Sequence, residues 1–557
     1  QTAPTIASQE LGTALYEETE GNPLFVGETV RLLSLEGIRA DAEGKLRLDI
    51  PQNVREVIGR RFTHLSEECN RVLLLASVLG REFALDALAK MAGVSFDELL
   101  DQLAEASTAR VVSDVPGEPD RLRFSHMLIR DTLYDRLTAA RRVQLHRLVA
   151  EVLEDLYGDS LEGHREETPQ NVLALAQHWL EAGVPTRAIS YYRHGAELAL
   201  RVFAYYEAQE ALTRAVELLQ QQPEGSSRDE DELDLRIMLG TARGWGSPDY
   251  VEARDLSHKL GRDLSPPILR GLAMNAVLRF ELADAREHGA ALLAASQREE
   301  DPMLAVEASY VLGVTSFWEG KLDESRRHFE DAIDRYSSER SETHIALYSQ
   351  DPKVVCLSRL AWTHWFLGNH DLALATRDSA LALADELGHP FSNCYAMLYA
   401  AIVSQELGDD RAGVRLVERT ETLAADERFP LLRTWAELLR HWSLAREGDR
   451  NAIETMRTVI AGLEETRQAP LLSYFYSLLV RAHLVAGEHA QGLEVVLRAL
   501  TESARTGARY LDSELYRLRG ELLVASGADA AEISTAFGLA RKLARSQGAT
   551  ALEARLV

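Results

Sequence analysis

Residues 366–388, FLGNHDLALATRDSALALADELG, decide the fold. They read as the end of one helix, a glycine-polar-polar turn at Gly368-Asn369-His370, and a second helix whose apolar residues recur at i, i+3 and i+4. The same plan returns in ELGDDRAGVRLVERTETLAADE (406–427), REGDRNAIETMRTVIAGLEE (446–465), VAGEHAQGLEVVLRALTESARTG (485–507) and ASGADAAEISTAFGLARKLARSQG (525–548). The leading glycines, Gly368, Gly408, Gly448, Gly487 and Gly527, lie 40, 40, 39 and 40 residues apart. A period of that length marks an array of helical hairpins, and no single hairpin can bury its apolar face, so the units stack. Each glycine is expected in the left-handed conformation that ends one helix and reverses the chain. Small Ala373, Ala375 and Ala380 among Leu372, Leu374, Leu381 and Leu383 predict close helix approach with larger knobs beside it.

Toward the N-terminus the units are less regular, turning at Gly320 and Gly183. The array is expected to span 166–557, with two polar, Pro/Gly-rich loops between repeats at 220–232 and 244–269. The first 165 residues differ in kind. Residues 8–37 read as two helices broken at Gly21-Asn22-Pro23, and 50–80 as two more, with Ser66 as an N-cap. Residues 83–112 read as helix, turn, helix, and VVSDVPGEPDRLRFSH (111–126) as two short strands around a Pro/Gly turn. Helices followed by a β-hairpin are the composition of a winged helix. The predicted fold class is therefore mostly all-α: a TPR-like (tetratricopeptide-like) α-solenoid over 166–557, preceded by a small helical piece (1–40) and a winged-helix-like domain with connecting helices (41–165).

Composition agrees with a modular chain. At 557 residues it exceeds what one core supports, and 46% apolar with 27% charged residues is ordinary for a folded protein. A net charge of −26 repels phosphate backbones and anionic lipid, so neither nucleic acid nor membrane is the expected partner of this part. Cys69, Cys356 and Cys394 form no CxxC pair, no run approaches 18 apolar residues, and Gln1 is followed by no signal-peptide pattern. The cytoplasm is the expected compartment. No GxxxxGK[ST] occurs: the Gly-Lys pairs are Gly44-Lys45 and Gly320-Lys321, each followed by leucine. HExxH, GxSxG and GxGxxG are absent too, and no histidine spacing suggests a metal site, so no catalytic residue, metal or cofactor is assigned to this chain.

Two local sequences are more specific. Pro23 in Gly21-Asn22-Pro23-Leu24-Phe25 suits the first turn of a helix. His126 stands where a strand gives way to a helix, where an imidazole can face an anion beside free backbone amides or simply be a half-buried structural histidine. The run Arg136, Arg141, Arg142, His146, Arg147 could be a DNA-contacting face, but arginines along an amphipathic helix in an acidic chain more often pair with carboxylates.

TEGNPLFVGETVRLL, IPQNVREVIGRRFTHLSEECNRVLLLASVLGREF, RFSHMLIRDTLYDRLTAARRVQLHRLVAEVLE and the repeat around 350–392, in that order, resemble the STAND-class signalling ATPases with tetratricopeptide repeats. The similarity is to the corresponding regions of class III nucleotide cyclases and MalT/LuxR-type transcriptional regulators. The resemblance implies that residues 1–40 end an ATPase domain, that Pro23 packs on adenine, and that His126 contacts the phosphate of bound ADP. It also implies that ATP or ADP with Mg²⁺ belongs to a longer parent whose P-loop part is lacking here.

The function this implies is that of a regulatory sensor. A small-molecule inducer or protein partner would bind the concave groove of the repeats and act on the chain's own upstream ATPase or output domain. Trp362, Trp365, Tyr395, Tyr399, Trp435, Trp442, Tyr474 and Tyr476, on the inner helices, are the expected contact set. The alternatives are the scaffold of a nucleotide cyclase or ATP-dependent transcriptional regulator, and a plain assembly platform that forms homo-oligomers.

Overall fold

The computed structural model describes residue 62 and residues 64–157, 168–466 and 470–556. Pro23, with the expected helices before residue 62, lies outside them. The chain divides into two compact units, Gln1–Gly195 and Ala196–Val557. Among the described residues no helix is long and apolar enough to cross a membrane.

The first unit begins with α1 (Glu67–Leu79), β1 (Glu82–Ala84), α2 (Leu85–Ala92), α3 (Phe96–Thr108), β2 (Val112–Val115) and β3 (Glu118–Phe124). It continues through α4 (Met127–Tyr134), α5 (Ala139–Tyr157), α6 (Pro169–Glu181) and the start of α7 (Pro185–Arg201). Ser66 caps α1 as expected, its Oγ accepting from the Cys69 N–H at 3.2 Å. Ser95 and Glu98 form a reciprocal capping box at the start of α3. The expected β-hairpin is present and is extended by a strand the sequence reading lacks: β1 pairs with β3, giving an antiparallel sheet in the order β1-β3-β2. Along β3, Leu122 and Phe124 point to the core while Arg121 and Arg123 alternate outward, and Phe124 meets Phe83 of β1 at 5.4 Å.

The second unit is an α-solenoid of TPR-like hairpins. It runs through α8 (Tyr205–Gln220), α9 (Ser226–Arg243), α10 (Asp249–Lys259), α11 (Pro266–Arg279), α12 (Leu282–Glu299), α13 (Pro302–Trp318), α14 (Leu322–Arg335) and α15 (Ser341–Tyr348). The regular hairpins follow: α16 (Pro352–Phe366) with α17 (His370–Leu387), α18 (Pro390–Glu406) with α19 (Asp410–Asp426), and α20 (Pro430–Arg446) with α21 (Arg450–Thr466). Then come α22 (Leu472–Ala486) with α23 (His489–Thr506), α24 (Asp512–Ala525) with α25 (Ala530–Gln547), and the short α26 (Thr550–Ala554). The five period-marking glycines have φ between +66° and +98°, the left-handed turn that their spacing predicts.

Both expected loops are shorter than predicted. Helix α9 starts at Ser226, inside the 220–232 stretch, because the non-helical connection after α8 ends at Gly225 and an acidic first turn suits a helix N-terminus. The 244–269 stretch contains α10, whose Asp249 and Glu252 play the same part. In α17 the buried residues are Ala373, Ala380 and Ala384, whereas Leu372 is 53% exposed. The small residues thus form the contact stripe, and the knobs lie at its margin or in solvent.

The two helices of each hairpin bury unequal amounts. Every residue of α13 from Met303 to Trp318 is buried, and α16 and α18 are buried nearly all round, while the partner helices bury one narrow stripe. A helix apolar on all sides is a core helix. The reason here is that the solenoid closes on itself: Tyr510, just before α24, donates its N–H to the Trp318 carbonyl at 3.3 Å, and Arg555, just past α26, donates to Glu406 of α18 at 2.8 Å.

Candidate functional site

This closure changes the meaning of the eight aromatic residues expected to line a groove. Trp362, Trp365, Tyr395, Tyr399, Trp435, Trp442, Tyr474 and Tyr476 do lie on the inner helices, but none is more than 6% exposed. Trp362 packs against Phe317, Phe366, Tyr399, Tyr474 and Tyr510 with ring centroids 5.0–5.8 Å apart, so repeats far apart in sequence meet across the axis. The expected open groove is therefore corrected to a filled aromatic core. Its polar members are enclosed too: Arg359 is 2% exposed, donates Nε–H to Tyr395 Oη at 2.6 Å, and lies 4.6 Å from the rings of both Trp318 and Tyr399.

A buried ion network locks the closure. Glu406 of α18 accepts from Tyr474 Oη (3.0 Å), Arg481 (3.0 Å) and Arg555 (2.8 Å). Glu514 of α24 accepts from Arg481 (2.6 Å), Arg517 (2.7 and 2.9 Å) and Arg555 (3.2 Å). Burial opposes ionisation of Glu514, but Arg481, Arg517 and Arg555 outweigh it and hold this carboxyl well below the ordinary range. Arg555, just past α26, also lies 5.0 Å from the Trp365 ring, which ties the end of the described chain to α16.

Accessible chemistry sits at one rim of this core. A cavity of about 260 Å³ is walled by Tyr205 and Tyr206 at the start of α8, Gly244 and Trp245 after α9, Phe391 in the first turn of α18, and Glu427 to Leu432, which run from the end of α19 into the first turn of α20. Trp245 meets Phe391 edge-on at 5.1 Å and Tyr395 at 5.6 Å, and Phe391 meets Phe429 at 5.6 Å. Trp245 Nε1–H is held by Gln350 Oε1 at 3.2 Å, and Tyr205 Oη by His389 Nε2 at 2.7 Å. The walls are thus oriented by hydrogen bonds made behind them. Of the expected contact residues, only Tyr395 stands against this cavity, as the backing of its wall; Tyr476 borders separate polar clefts between α21, α22 and α23.

These wall residues were not expected from the sequence, because they come from inter-helix turns and from the first turns of helices, where periodicity says little. One signal was legible. One repeat interval beyond Gly388, a glycine with φ +61°, stands Arg428, which adopts φ +57° without glycine's freedom. Its guanidinium lies 4.3 Å from the Tyr206 ring centroid.

In the first unit His126 is 5% exposed and caps α4, its Nδ1 accepting from the Leu128 N–H at 3.2 Å. A phosphate contact through Nδ1 would require giving up that cap. The basic run does not form one face: Arg142 meets Asp135 at 3.4 Å, Arg136 lies over the Phe62 ring, and His146 is buried. His146 of α5 and His178 of α6 instead bring their Nδ1 atoms to 2.9 Å, and Tyr134 Oη of α4 is 2.8 Å from His146 Nε2. A shared Nδ1–Nδ1 bond needs one nitrogen protonated and the other bare, so the two rings cannot both be charged.

Burial holds His146 below the ordinary imidazole range, with Arg130 and Arg142 adding to it against Glu181. Burial, then His146 and Arg130, take His178 down to about 3. A base that titrates lower in the folded than in the unfolded state contributes stability above the unfolded value, and this is lost as pH falls from about 6.5 toward the folded value. Between pH 7.5 and 5 the His178 site alone is expected to cost the first unit about 2 kcal/mol. Urea titrations at the two pH values should show this loss in the parent chain and a smaller one in His178→Leu; equal losses would mean the pair does not set the acid limb.

No protein-family model matches the chain. An uncharacterized protein of Rhizobium meliloti (strain 1021) is 22% identical over 567 residues, covering 97% of this chain and 54% of its own length. The chain thus spans about half the length of the curated relative it matches. Among solved structures, a signal transduction ATPase with numerous domains carrying a tetratricopeptide repeat sensor, from Pyrococcus horikoshii, is 12% identical. That similarity covers 92% of this chain and 72% of the other at a TM-score of 0.45. A Rap protein complexed with competence and sporulation factor is 15% identical, covering 65% of this chain and 99% of its own, with a TM-score of 0.46.

Proposed function

We propose that this chain is the ligand-sensing, regulatory portion of a signal-transduction ATPase, in which a small molecule with an aromatic body occupies the cavity at the rim of the closed solenoid. The observation that carries this reading is the cavity itself: aromatic walls from four segments, spread between Tyr205 and Leu432, converge on one concave site. A ligand there touches segments that the fold otherwise joins through the axial core, so its binding energy favours the closed arrangement of the repeats. The first unit supports the regulatory half of the proposal, since the order helix, strand, helix, helix, strand, strand is that of a winged helix. In this reading ATP or ADP with Mg²⁺ acts in the upstream part of the longer protein.

The test is a thermal-shift screen of small aromatic compounds on the chain as it stands. A compound present at 100 times its Kd should raise the unfolding free energy by about 2.7 kcal/mol, and the gain should vanish in Phe391→Ala and Phe429→Ala. In the longer protein the same compound should change nucleotide turnover. No stabilising compound, or stabilisation that ignores both substitutions, would sink the reading.

A further inference from the structure

The cavity carries two charges with no ionic partner among the described residues. Glu427 and Arg428 both line it, both are exposed at its mouth, and neither makes an ion pair among the described residues. The other cation in the wall is already occupied: Arg243 donates to Asp249 Oδ2 at 2.7 Å. Arg428 is also held at a cost. The corresponding left-handed positions ending α17, α23 and α25 are Gly388, Gly507 and Gly548, where a positive φ is free of strain, whereas Arg428 adopts φ +57° with a full side chain, as Phe280 and Glu300 do after α11 and α12. That conformation lays its guanidinium against the Tyr206 ring, at the edge of a space otherwise walled by Trp245, Phe391 and Phe429.

A carboxylate and a guanidinium adjacent in sequence, neither neutralised by an ion pair, beside an aromatic slot match a molecule with one ammonium, one carboxylate and a flat apolar body. We infer that the cavity takes a free aromatic α-amino acid, with Arg428 reading the carboxylate, Glu427 the ammonium, and Trp245, Phe391 and Phe429 the ring. This rests on the cavity being the ligand site, and the probes separate the two claims.

Calorimetric titration of the full chain should be run with L-tryptophan, L-phenylalanine, tryptamine, indole-3-propionate and indole. One or both amino acids should bind at least tenfold more tightly than tryptamine, which lacks the carboxylate, and indole-3-propionate, which lacks the ammonium. Arg428→Gln should reduce the preferred amino acid to the level of the amine, and Glu427→Gln to that of the acid. Arg428→Gly should do the same as Arg428→Gln while leaving the melting temperature unchanged or higher, because glycine relieves the left-handed backbone. If indole or the single-charge analogues bind as well as the amino acids, the cavity is a ligand site and the amino-acid assignment is wrong. If none of the five binds, the assignment is equally overturned. If Arg428→Gly lowers the melting temperature and leaves amino-acid binding intact, Arg428 is a structural stack on Tyr206 and reads no ligand.

Discussion

Glu514→Gln lowers the unfolding free energy of the second unit by about 3–5 kcal/mol, the cost of leaving buried charges without their partner. Glu514 is 0% exposed and serves Arg481, Arg517 and Arg555, while the other buried carboxylate, Glu406, reaches Arg481 and Arg555 but not Arg517. A neutral amide therefore leaves Arg481 and Arg555 to share the one remaining buried carboxylate, Glu406, and Arg517 with only the partly exposed Glu521. Glu521, the partially exposed second partner of Arg517, is the internal control: Glu521→Gln should cost less than about 1 kcal/mol. Because the main variant removes so much, the pair Glu514→Gln with Arg481→Leu is the complementary measurement. Removing a cation along with the carboxylate should recover part of the loss, as coupled neighbours do. Denaturant titration followed by tryptophan fluorescence reads all three. A loss below about 1 kcal/mol for Glu514→Gln, or no recovery in the pair, would mean that the network does not hold the closure.

Trp362→Ala should cost about 3–5 kcal/mol, as expected when a fully buried aromatic residue leaves a cavity its surroundings cannot fill. The location of the damage is as informative as its size. In an open repeat array stability is a sum of nearest-neighbour terms, and a lesion in one hairpin loosens that hairpin and the next. Here Trp362 of α16 touches Tyr474 of α22 and Tyr510 before α24, each more than 100 residues away. Hydrogen exchange should therefore quicken in α22 and α24 as well as in α16 and α18. Faster exchange confined to α16 and its sequence neighbours would contradict a shared axial core. Trp362→Phe, which keeps an aromatic ring, should retain much of the stability that alanine loses.

Local structure was legible wherever one residue's chemistry decides it. Ser66 sets a helix start through a side chain three residues from the amide it serves. The turn glycines set helix ends through a backbone conformation that few other residues tolerate, and the Pro/Gly turn at 116–117 set the hairpin. Where short-range signals were weak, the reading failed. Strand β1 spans only Glu82–Ala84, too short to show alternation, and it exists because β3 offers it an edge. Helix α10 lay in a stretch whose flanking glycines and prolines outweighed its acidic start.

The sequence by itself determined a helical-hairpin array on a 40-residue period, a preceding module with a β-hairpin, and the placement of large aromatics on the inner helices. These follow from interactions within a few residues, which recur at every repeat and so are written as a period. Whether those aromatics line a groove or fill a core was decided only by the tertiary structure. The curvature of a repeat array is a sum of small rotations, one per hairpin, and no motif states the total. Here the sum brings Arg555 to Glu406 and Tyr510 to Trp318. The axis is thereby filled, and the accessible cavity moves to the rim, where Trp245, Phe391 and Arg428 meet from separate turns.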